Sequence, residues 1–151
     1  MKSVLLILTL LVASAPALAG KPKTTAPCGA DVCLKLHQQA SIALAQARID
    51  VILLREEEYR KNIPDAGQAV VEKVKAARQG LAPLYSAAVA SATGSPAVTT
   101  ALKNYMKVWT AAINAYPMQT VKSTPEREAE HRGYEARLND AWADVQVEAG
   151  I

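Results

Sequence analysis

The chain has 151 residues, half of them hydrophobic, with no phenylalanine and a formal net charge of +3 at pH 7. That length suits one domain. The charge is too small, and too mixed in sign along runs such as Arg55-Glu56-Glu57-Glu58-Tyr59-Arg60-Lys61, for the clustered basic face of a nucleic-acid binder.

Residues 1–19 read as a cleavable secretory signal. Lys2 supplies the positive start, Val4 to Ala13 the apolar core, and Ala17-Leu18-Ala19 the small-residue boundary of a cut before Gly20. The core is shorter than the roughly 20 apolar residues of a permanent span, and Gly20 is not the cysteine of a lipid-anchored lipoprotein. Cleavage removes Lys2 and leaves 16 basic against 14 acidic residues. Residues 20–30, rich in Lys, Pro and Thr up to Pro27, are expected to form a flexible tail. Residues 31–151 are expected to form a single helical-bundle domain with no membrane span.

Four amphipathic helices are predicted. Asp31 can cap the first, from Val32 to Asn62, where Leu36, Ala40, Ala43, Ala47, Val51 and Leu54 recur at steps of three and four. Ile42, Ile49, Ile52 and Leu53 widen that stripe and predict contact with more than one neighbour. Glu56 with Arg60 and Glu57 with Lys61 are i,i+4 pairs near its end, and Pro64 stops it. Asp65 and Gln68 suggest a capping box for the second helix, striped by Val70, Val74, Ala77, Leu81, Leu84 and Ala88. Gly80 and Pro83 predict a kink over residues 79–83. Ser95 as cap and Pro96 at the first position start the third helix. Val98, Leu102, Tyr105, Trp109, Ala112 and Tyr116 form its ridge, and Pro117 is expected to end it. Ser123 to Pro125, with Glu126 in capping-box position, start the fourth, which turns Tyr134, Leu138, Ala141, Trp142 and Val145 inward. Short connections favour an all-α, up-down-up-down antiparallel four-helix bundle with a kinked second helix. Two less regular helical hairpins are the rival arrangement.

Cys28 and Cys33 are the only cysteines, and in an exported chain they read as a disulfide pinning the tail to the first helix. Five residues of helix separate side chains by about 140°, so Cys28 is expected in a non-helical turn. The pair lacks the Cys-x-x-Cys spacing of a redox motif. His37, four residues after Cys33, fits no common zinc or haem spacing and is expected at the surface. Glu128 and His131 have the Glu-x-x-His spacing of di-iron bundles, but such sites need two copies plus further glutamates, and one copy is present. No nucleophile elbow, triad motif or phosphate-binding loop is legible. Neither a metal nor another cofactor is expected.

Asp140, Asp144 and Glu148 form an acidic ridge on the last turns of the fourth helix, where the dipole disfavours negative charge. Lys73, Lys75 and Arg78 could offset it inside the fold. Otherwise the ridge is solvated or meets a basic partner, which makes these three acids the candidate partner-binding residues. The expectation is an exported, non-enzymatic bundle acting through protein–protein contacts in the bacterial periplasm or at the cell surface. The alternative is a small-ligand carrier or sensor-like bundle, with a cavity near Pro83 walled by Tyr85, Tyr105 and Trp109. A metal or redox bundle built on Glu128 and His131 is a third class.

Overall fold

The computed structural model describes residues 28–61 and 66–151, with side chains described for 28–56 and 67–151. It is a four-helix bundle: α1 (Ala30–Lys61), α2 (Ala66–Ser91), α3 (Pro96–Gln119) and α4 (Thr124–Ala149). The signal, the cut before Gly20, the tail to Pro27, the stop at Pro64, the Asp65 cap and the Glu56–Arg60 and Glu57–Lys61 pairs lie outside what is described. Cys28 is fully buried and α1 already begins at Ala30, so packing starts ahead of the expected boundary at Asp31. Asp31 itself lies in the first helical turn rather than capping it.

Helix α3 carries the largest buried side chains, Trp109, Tyr105 and Tyr116, and packs on all three other helices. Alanine makes this possible. Ala40, Ala47, Ala88, Ala112 and Ala141 are buried on the facing stripes, leaving room for aromatic rings between closely spaced helices. The Trp109 indole Nε1 donates to the Ala40 carbonyl at 2.9 Å, giving the buried N–H an acceptor.

Cross-helix pairs define how the chain runs. Cys28, just ahead of α1, lies 3.4 Å from Ser91 at the end of α2, whereas Asp50 meets Lys73 near the start of α2. Numbers therefore rise along α1 as they fall along α2. The same inversion holds for α3 and α4, where Tyr105 contacts Trp142 and Tyr116 contacts His131. Between α1 and α3 the numbers rise together, His37 with Tyr105 and Ala40 with Trp109.

Local signals set most boundaries. Gly94 takes φ +97 in the turn after α2, a conformation that favours glycine, and Ser95 Oγ accepts from the Val98 N–H at 3.4 Å ahead of Pro96. The Glu126 carboxylate accepts from both the Ser123 N–H (2.9 Å) and the Ser123 hydroxyl (2.6 Å) at the start of α4. Those bonds hold its carboxyl below the usual range. Gly150 closes α4 in the left-handed region, φ 69, with its N–H on the Gln146 carbonyl.

Pro117 does not end α3: the helix continues to Gln119, and the Thr120 N–H and hydroxyl both bond to the Pro117 carbonyl. A proline this close to a helix end removes one hydrogen bond, and the turn beyond it is closed by the two Thr120 bonds. In α2, helix is assigned without interruption from Ala66 to Ser91 with Pro83 inside it.

Candidate functional site

The residues that sequence motifs singled out for chemistry are mostly engaged in holding the bundle together. Cys28 and Cys33 stand at disulfide-bonding distance with Cα atoms 6.6 Å apart, both buried, and Cys28 precedes the helix as the spacing argument requires. His37, expected at the surface, is half-buried. Its ring stacks on Trp142 at a centroid distance of 4.2 Å, and Nδ1 lies 2.9 Å from the Tyr105 hydroxyl. Desolvation lowers the His37 pKa and, on Tyr105, raises the hydroxyl's. The stripe analysis missed this because His37 lies beside the apolar stripe, toward α4, instead of on the outer face.

Glu128 and His131 share one helix but not one site. The Glu128 carboxylate takes both of its oxygens to Arg48 Nη2, at 2.7 and 2.9 Å, and this pairing draws its pKa down and raises that of Arg48. His131 is buried between Glu135, whose carboxylate accepts from Nε2 at 3.0 Å, and the Tyr116 hydroxyl, 2.9 Å from Nδ1. Burial pushes the Tyr116 hydroxyl up to about 12. Both histidine nitrogens are thus engaged. Among the described residues no group of three or more His, Cys, Asp or Glu could hold a metal ion.

Along this side the backbones of α1 and α4 stay apart and long side chains bridge them. A cavity of about 350 Å³ lies in the seam, lined by Ser41, Leu44, Arg48, His131, Glu135 and Leu138 among others.

A second cleft, of about 440 Å³, opens between α1 and α2. Its walls include Ile42, Ala43, Ala47, Val74, Ala77 and Leu84, and its polar residues are Gln39, Gln46, Asp50 and Lys73. Asp50 is only 5% exposed; its Oδ1 accepts from Lys73 Nζ at 2.6 Å and from Gln46 Nε2 at 3.1 Å. A Cβ added at Gly80, on the cleft wall, would meet nothing within 4 Å. The cavity expected beside Pro83 therefore differs in its walls: Tyr105 and Trp109 fill the core, and neither they nor Tyr85 line the cleft. Asp50 escaped the sequence analysis, although an acid three residues after Ala47 and four before Leu54 on an inward stripe was a legible anomaly.

The acidic ridge is exposed. Asp140, Asp144 and Glu148 have no hydrogen bond or ion pair among the described residues, and Asp144, Val147 and Glu148 border a shallow groove with Pro96, Thr100 and Asn104. The candidate internal partners are engaged elsewhere: Lys73 on Asp50, Lys75 on Glu72 and Arg78 on Asn114. Helices α2 and α4 do not pack closely, so those cations cannot offset the ridge by contact.

Helix α1 packs on both α2 and α3, as the width of its apolar surface predicts, yet Ile42, Ile49, Ile52 and Leu53 face outward, with Leu34, at exposures from 39% to 52%. At 100° per residue the five fall within about one third of the helix circumference. The chain matches no family model, no curated protein and no solved structure.

Proposed function

We propose that this chain is an exported, non-enzymatic bundle that acts through protein contacts, and that the outer face of α1 is its docking surface. The observation that carries this reading is the outward apolar strip of α1. An exposed patch of several large aliphatic side chains on one face costs solubility and marks an interaction site more often than a lone exposed leucine does. Ile42, Ala45, Ile49 and Ile52 follow the alternating three-and-four spacing of a helix–helix seam, so the partner that fits is an apolar-faced helix of another protein. The unpaired ridge of Asp140, Asp144 and Glu148 supplies a separate charged contact for a basic segment of the partner.

Export rests on the amino-terminal signal pattern, and a disulfide pair of Cys28 and Cys33 agrees with an oxidising compartment. The absence of catalysis is supported by the engagement of both histidines in structural hydrogen bonds. Changing Ile49 and Ile52 together to Lys tests the docking face, because both side chains lie outside the buried core, 47% and 39% exposed. The double variant is expected to melt within about 0.5 kcal/mol of the parent and to lose retention of the envelope partner that the parent retains. Equal retention by both forms would remove the docking role of α1.

A further inference from the structure

We propose that the cleft between α1 and α2 binds a small aliphatic alcohol, with the hydroxyl at the Asp50–Lys73 pair and the apolar body along the alanine walls. The proposal stands on the cleft and does not rest on the docking role of the outer face. At about 440 Å³ the cleft falls within the size range of small-molecule sites. Its character is mixed in the way such sites are: Ala43, Ala47, Ala76, Ala77 and Leu84 offer apolar surface, and Asp50, Lys73 and Gln46 place polar groups at one part of the wall. The vacancy has a sequence cause. Small residues line both helices where they face each other, and the space beside Gly80 is open to at least 4 Å from where a Cβ would sit.

The head group follows from the hydrogen bonds. Both donors to Asp50 reach Oδ1; among the described residues none donates to Oδ2, which is open to the cleft and free to take a donor from a ligand. A charged oxygen in that position gains from a donor. Lys73 Nζ has three hydrogens and gives one to Asp50, so it retains donors of its own. A hydroxyl complements this pair from both sides, donating to Oδ2 and accepting from Nζ. A carboxylate head would face Asp50, and an ammonium head would face Lys73. Because the ion pair is already neutral, neither charge is compensated on entry.

The test uses the purified exported chain titrated with 1-octanol, octanoate and octylammonium, read by methyl NMR of the cleft alanines and by calorimetry. Octanol is expected to shift the Ala43, Ala76 and Ala77 methyls and to bind at least about tenfold more tightly than either ion. Gly80→Leu fills the open space on a regular helix while raising helix propensity, and is expected to weaken octanol at least about tenfold. Gly80→Ala is expected to retain binding. Ala76→Leu, an exposed position on the same wall, serves as a second blocking variant and is expected to weaken octanol likewise. Ile49→Lys with Ile52→Lys is expected to leave octanol binding intact. The proposal is overturned if octanol leaves the cleft methyls unmoved, if folded Gly80→Leu and Ala76→Leu bind it like the parent, or if either ion binds as tightly. Loss of binding in the Ile49/Ile52 variant would place the alcohol on the outer face and overturn the cleft assignment as well.

Discussion

The indole N–H of Trp109 on α3 bonds to the carbonyl of Ala40 on α1 at 2.9 Å, a contact that ties the largest fully buried side chain among the described residues to the backbone of the longest helix. The Ala40 carbonyl also belongs to the helical ladder, and the absence of a larger side chain at position 40 lets the indole reach it. Trp109→Ala removes both the packing and the bond and is expected to cost about 3–5 kcal/mol. Trp109→Phe keeps most of the volume, loses the donor, and is expected to cost about 1–2 kcal/mol. Urea unfolding of the two variants separates the terms; a Phe variant as damaged as the Ala variant would mean that the hydrogen bond, not the volume, dominates.

His37 gives stability a definite pH dependence. Tyr105 and Trp142 are the groups that face its ring, neither of them charged, and burial lowers its pKa below the ordinary histidine value of 6.5. The unfolded chain therefore binds this proton at higher pH than the folded chain does. Its contribution is present in full above pH 6.5 and is lost progressively as pH falls through that value toward the lower folded pKa. His37→Phe preserves a ring on Trp142 and cannot titrate. The melting temperature of the parent is expected to fall relative to that of His37→Phe between pH 7.5 and 5; parallel curves would contradict the assignment.

Glu126 and Glu128 act lower on the pH scale. The Ser123 bonds and the Arg48 pairing, respectively, hold their folded pKa values below the ordinary carboxylate range. Each contribution is present above that range and lost as pH falls through the lower folded values. Glu128→Gln is expected to destabilise the protein at neutral pH and to converge with the parent in acid, measured by urea midpoints at both pH values.

Much of the architecture is legible in the sequence, because capping and periodicity are local. Ser95-Pro96 and Ser123 with Glu126 set the starts of α3 and α4, and the apolar stripes identify most core residues from Leu36 to Val145, though not Leu44, Ala92, Ala101 or Ile113. What escaped depends on angles between helices. Apolar periodicity does not reveal that α1 lacks an outer neighbour at Ile49 and Ile52, nor that Asp50 meets Lys73 across a cleft. The engagement of Lys73, Lys75 and Arg78 away from the acidic ridge has the same origin. Pro117 fails as a stop for another reason: near a helix end it forfeits one hydrogen bond, and Thr120 closes the following turn onto the Pro117 carbonyl.

Gly80 is a place where the chain can be improved. It lies inside α2, away from positive φ, with nothing within 4 Å of an added Cβ. Gly80→Ala is therefore expected to stabilise the protein by about 0.5–1 kcal/mol through helix propensity. Destabilisation in thermal or urea unfolding would mean that the cleft wall is not open there.

The Cys28–Cys33 pair closes a short loop, and in the chain-entropy picture its removal by paired Ser substitution is expected to cost about 2 kcal/mol. Mass spectrometry without reductant should find the bond within one chain. Two free thiols, or a disulfide-linked dimer, would contradict it.

The most direct test of protein docking on α1 is site-specific photo-crosslinking in the exporting cell, with the photoreactive residue at Ile49 and, as a control, at exposed Ser86 on α2. A single discrete adduct to a different protein at position 49, absent at position 86, is the expected result. No adduct, the same adducts at both positions, or an adduct only to a second copy of this chain would contradict the docking surface proposed for α1.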